Sequence, residues 1–145
     1  MKAYRILFVL FILAIFLSAC SAGTATPTPI DGVPEQPVIT WHREGGIAGF
    51  CDDLFILADG NVIARSCNRQ GDRYGTLTAD QLVQLTEWAA QYASFEGGYR
   101  DPAVADAMLI SFRFVGSGEA EADAAAEEAV LQFAGEIFGS LVGEP

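Results

Sequence analysis

From Val38 onward, apolar residues recur with two different periods. Val38-Ile39-Thr40-Trp41-His42-Arg43 is β-branched and aromatic and predicts a first strand. Leu54–Ala58 and Asn61–Ser66 are two further strand-like runs that flank Asp59-Gly60, and Asp-Gly between such runs signals a hairpin. Met108, Ile110, Phe112 and Phe114 alternate with Ser111 and Arg113, which predicts a half-buried strand over 108–115. The helical period appears twice. Thr78 and Gln81 are spaced as a capping box, and Leu82, Leu85, Ala89 and Tyr92 follow with Trp88 beside them, predicting a helix over 79–92. Ala126, Val130, Phe133, Ile137 and Leu141 share one face of a second helix over 122–141, with Glu127, Glu128, Gln132 and Glu136 mostly opposite. Asn68–Gly75 and Ser94–Ala107 are polar or interrupted by glycine and read as loops. The order β-β-β-α-β-α implies an α+β domain over residues 38–142, a four-stranded, mostly antiparallel sheet with two helices packed on one face.

Upstream the pattern changes. Ile6–Leu17 is twelve apolar residues without a break, preceded by Lys2 and Arg5 and followed by Leu17-Ser18-Ala19-Cys20. A charged start, a short apolar core and small residues at its end describe a secretory signal over residues 1–19. Twelve helical residues span about 18 Å, short of the ~30 Å needed to cross a bilayer. Leu17-Ser18-Ala19-Cys20 resembles the lipobox of bacterial lipoproteins. That resemblance covers residues 1–20 and implies cleavage before Cys20, lipidation of its sulfur and attachment to the bilayer through the acylated Cys20 on the extracytoplasmic side. Ser21–Pro37 holds four of the six prolines and few large apolar groups, so residues 20–37 read as a lipidated cysteine and an extended tether.

Composition agrees with this division. The chain is 51% hydrophobic yet carries a net charge of −11, and the leader accounts for the excess apolarity. Lys2 is the only lysine, so the part after the leader is more acidic still. So acidic a domain lacks the clustered Lys and Arg that nucleic-acid binding requires. It is also repelled by anionic lipid, which favours standing clear of the membrane surface.

Cys51 and Cys67 are the two cysteines left once Cys20 is lipidated. A two-residue Asp59-Gly60 turn pairs Ala58 with Asn61 and brings Cys51 almost opposite Cys67 at the open end of the hairpin. Outside the cytoplasm such a pair is expected as a disulfide. A metal pair or a thiol nucleophile would need further histidine or cysteine, and His42 is the sole histidine. Asp52 and Asp53 are neighbours on a strand and point to opposite faces, whereas carboxylates paired for acid–base work converge. The five acidic residues between Glu119 and Glu128 suit the start of a helix. A hydrolase would need a pocket where His42 meets Asp52, Asp53 or Asp106. The expectation is a non-enzymatic domain with no cofactor and no metal of its own.

The remaining feature is the loop Glu44-Gly45-Gly46-Ile47-Ala48-Gly49-Phe50, with three glycines in five positions. So much glycine implies unusual backbone angles or a close backbone approach. It can be a tight strand connection, or a binding loop presenting Ile47 and Phe50 for a partner to bury. The stretch Arg43-Glu44-Gly45-Gly46-Ile47-Ala48-Gly49 resembles the Arg-x-Gly-Gly-Phe-Ala-Gly pattern of emfourin-like proteins, named for protein inhibitors of thermolysin-type (M4) metalloproteases. The likeness extends more weakly over residues 38–142, and Ile47 stands where the pattern has an aromatic residue. It implies a secreted or envelope metalloprotease as partner, with Ile47 or Phe50 in an apolar pocket and Glu44 or a loop carbonyl near the partner's zinc. The competing expectation is an envelope structural or ligand-binding lipoprotein without inhibitory activity, in which the loop is purely structural.

Overall fold

In the computed structural model, residues 36–100, 103 and 106–143 are described. The expected leader, Cys20 and all but the end of the tether lie outside them. Six strands form one antiparallel sheet: β1 (Ile39–Gly45), β2 (Phe50–Ile56), β3 (Asn61–Ser66), β4 (Arg73–Thr76), β5 (Phe95–Arg100) and β6 (Leu109–Phe114), in the order β4-β3-β2-β1-β6-β5. Helix α1 (Ala79–Gln91) follows β4, and α2 (Ala124–Val142) follows β6. The α+β class therefore stands, but the sheet has six strands where the sequence predicts four.

Both missed strands contain glycines that act through packing. Gly75 in β4 lies under α2, where a Cβ would meet Leu141 Cδ2 at 2.5 Å. In β5, a Cβ on Gly97 would strike the Phe112 ring at 2.6 Å, and one on Gly98 the Ile110 carbonyl oxygen at 2.4 Å. These glycines let neighbouring groups press onto a strand, so they do not break it. The second strand also begins earlier than expected, at Phe50, because its polar residues find partners within the sheet.

Alternation divides the sheet into a covered and an open face. Ile39, Trp41, Leu54, Ile56, Val62, Ala64, Phe112 and Phe114 point to the covered face and form the core with Leu85 of α1 and Val130, Phe133, Ala134, Ile137 and Phe138 of α2. Trp41 lies 5.1 Å from Phe138, so α2 packs on this face, and Trp88 of α1 meets Phe133 of α2 edge-on at 5.3 Å. Each large core side chain contributes about 1.5–3 kcal/mol by leaving water.

The helix ends are closed by specific donors and acceptors. The capping box forms as the sequence predicts: Gln81 N donates to Thr78 Oγ1 at 3.3 Å, and Thr78 N donates to Gln81 Oε1 at 2.9 Å. Asp123 caps α2 by accepting from Ala126 N at 2.8 Å. At the end of α1, Ser117 N donates to Ala89 O, Gly118 N to Tyr92 O and Ala120 N to Gln91 O. The segment after β6 thus satisfies helical carbonyls that would otherwise lack partners.

The β2–β3 turn differs from expectation by one residue. Leu57 N donates to Asn61 O at 2.9 Å and Gly60 N to Leu57 O at 3.0 Å, so three residues, Ala58-Asp59-Gly60, make the turn. Gly60 sits at φ +85°, the left-handed position such a loop requires. The extra residue shifts the pairing so that Asp52 faces Ser66, and the next pair outward is Cys51 with Cys67. These two form a disulfide with Cα atoms 5.7 Å apart.

Candidate functional site

β1 and β2 are joined by a four-residue turn, Gly46-Ile47-Ala48-Gly49, closed by Gly49 N donating to Gly46 O at 2.9 Å. Gly45, Gly46 and Gly49 all have positive φ, between 64° and 78°. L-residues with a Cβ reach that region only with strain, so the glycine content is dictated by the backbone path. At the tip, Ile47 is 96% exposed.

The root of the turn is pinned from three sides. On the covered face, Arg43 donates to Asp52 Oδ2 from Nε at 2.8 Å and from Nη2 at 2.6 Å. The same guanidinium sits 4.1 Å from the Phe50 ring centroid and 5.3 Å from that of Phe138. On the open face, the Cys51–Cys67 disulfide ties the start of β2 to the end of β3. From the β3–β4 connection, Asn68 Nδ2 donates to Gly49 O at 3.1 Å. Beside it, Gly46 lies near Met108, where a Cβ would meet the Met108 Cβ at 3.6 Å.

The seven loop residues therefore play different parts. Ile47, Ala48 and Gly49 are exposed. Phe50 is half-buried and serves as the platform for Arg43. Glu44 projects from the open face toward His42. The role of Arg43 becomes visible only with Asp52, nine positions away.

His42 stands on the open face between two carboxylates. Its Nδ1 is 2.8 Å from Asp53 Oδ1, and its Nε2 is 3.3 Å from Glu44 Oε2. The Asp53 hydrogen bond raises the His42 pKa above its usual 6.5, partial burial opposes this, and Glu44 adds to the rise. Asp52 points to the other face, as strand alternation requires, and Asp106 is exposed before β6. Of the three aspartates a hydrolase could have used, His42 thus meets Asp53. Ser111 of β6 stands opposite His42 in the register, yet Nε2, the nitrogen that would take a hydroxyl proton, is turned to Glu44. Chemically, the cluster favours the protonated form of His42.

The two carboxylates approach opposite ring nitrogens and so do not converge on one point. Among the described residues, no group of three His, Cys, Asp or Glu side chains is placed to hold a metal ion. No helix among the described residues is long and apolar enough to cross a membrane. No known protein family, curated protein or solved structure matches the chain.

Proposed function

We propose that this protein is an extracytoplasmic lipoprotein, anchored through acylated Cys20, whose α+β domain binds a protein partner through the 44–50 hairpin and catalyses no reaction itself. The observation that carries this reading is the exposure of Ile47, 96%, on a turn whose root is fixed by an ion pair, a disulfide and a cross-loop hydrogen bond. A large apolar side chain held in water on a braced support gains free energy when a partner buries it, and little ordering entropy is lost in doing so. The engagement of His42 Nε2 with Glu44 supports a non-catalytic role.

The emfourin-like stretch 43–49 supports an M4-type metalloprotease as the partner. In that complex Ile47 enters an apolar pocket, the metal belongs to the protease, and Phe50 stays beneath Arg43 as a support. The test is a titration of an M4 protease with the full chain in detergent. Inhibition is expected, and it should be lost in Ile47→Asp. Protease activity unchanged at micromolar excess, together with no detectable binding, sinks this reading. For the anchor, intact-mass measurement of the mature protein should find an acylated Cys20 at the N-terminus; an unmodified Cys20 contradicts it.

A further inference from the structure

Among the described residues, β5 is the last strand of the sheet and pairs on one side alone, with β6. Along its other side, every second residue directs a backbone N–H and C=O away from the sheet, where no described strand pairs with them. Beside this edge, on the covered face, lies an open groove of about 380 Å³ between β5 and the first turns of α2. Tyr99, 57% exposed, forms one wall, and Leu131 and Phe112 supply apolar surface.

The groove also has a charge. Glu127 is half-buried there, its carboxylate lying over β5, where a Cβ on Gly97 would sit 3.5 Å from Glu127 Oε2. Among the described residues this carboxylate has no hydrogen-bond or ion-pair partner. Glu128 lines the same groove. Half-burial weakens the solvation of a carboxylate, so a cationic side chain arriving in the groove gains more than at an open surface.

We propose that the β5 edge and this groove bind an extended segment of a partner protein in which an apolar residue stands two positions from a Lys or Arg. Added to β5 as a seventh strand, such a segment satisfies the free backbone groups. Residues two apart on a strand share a face, separated by about 6.6 Å. One therefore reaches Tyr99 and Leu131 while the other meets Glu127 and Glu128. This surface is distinct from the hairpin tip and does not depend on it.

The probe is a dye-labelled heptapeptide, Thr-Leu-Thr-Lys-Thr-Leu-Thr, titrated with the full chain in detergent and read by fluorescence anisotropy. Saturable binding is expected, weakened about tenfold or more in the E127Q/E128Q double variant and unchanged in Ile47→Asp. A peptide with glutamate for lysine should not bind, and one with alternate backbone amides methylated should bind far more weakly. Amide NMR shifts should concentrate on Gly97–Arg100. The proposal is overturned if the probe does not bind at millimolar concentration. It is also overturned if a scrambled peptide of equal charge binds as well, or if E127Q/E128Q, verified as folded by circular dichroism, binds like the unaltered chain.

Discussion

Arg43 and Asp52 form an ion pair, 2.6 Å from Nη2 to Oδ2, on the covered face of the sheet and directly below the turn that carries Ile47. Asp52 is 2% exposed, and Arg43 supplies the cation beside it. Arg43→Leu leaves that carboxylate buried without a counter-charge and should destabilise the domain by about 3–5 kcal/mol. The double variant R43L/D52L should recover much of the loss, because it removes both desolvated charges. Urea unfolding of the four proteins of the cycle checks this; a double variant as unstable as Arg43→Leu contradicts the argument.

The disulfide closes the β2–β3 hairpin across a sequence separation of 16. Removing it by C51S/C67S should cost about 3 kcal/mol, chiefly by restoring freedom to the unfolded chain. Reductant should shift the urea midpoint of the unaltered protein to that of the double variant and leave the variant unmoved. A thiol count of two in the non-denatured, unreduced domain (Cys20 aside) would contradict the bridge.

His42 makes stability depend on pH. Its folded pKa lies above 6.5, raised first by the Asp53 hydrogen bond, opposed by burial and further raised by Glu44. Protonation is therefore favoured by folding. The contribution is fully present below the unfolded value and is lost as pH climbs through the higher folded value. Unfolding midpoints measured upward from about pH 6 should fall across that window. Asp53→Asn should flatten the slope more than Glu44→Gln does. Equal slopes in all three proteins would show that His42 is not the source.

Backbone angles separate the glycines from the residue they display. Gly60, at φ +85° with Leu82 Cδ1 only 3.3 Å from a built Cβ, should lose about 1–2 kcal/mol on replacement by alanine. Ile47→Asp should change stability by less than about 0.5 kcal/mol, since the side chain touches little in the free protein. Thermal unfolding distinguishes them. A large loss in Ile47→Asp would mean that the tip is a packed element of the fold.

Periodicity located every element whose signal lies within its own segment: the strand from Ile39, the hairpin strands, both helices and the Thr78–Gln81 capping box. It failed where the deciding contact is distant in sequence. Gly97 and Gly98 look like breakers until the Phe112 ring and the Ile110 carbonyl are seen against them. Gly116-Ser117-Gly118 looks like the end of a strand, but it also supplies donors to the last carbonyls of α1. Asp52 looks like a solvated acid until Arg43 meets it. At the hairpin tip, the glycine spacing marked the turn, but no local signal distinguishes Phe50 as a support from Ile47 as the displayed side chain.

β1 enters the sheet just after Pro37 and runs, as a seven-residue strand, straight to the turn that bears Ile47. Its two ends lie about 20 Å apart. A chain held upstream of Pro37 and gripped at Ile47 is therefore under tension along one continuous, already extended stretch of backbone. A pull between Pro37 and Ile47 would pass through the covalent bonds of this one strand. The helices and the other five strands lie beside that line, so a load applied between Pro37 and Ile47 would be carried along β1.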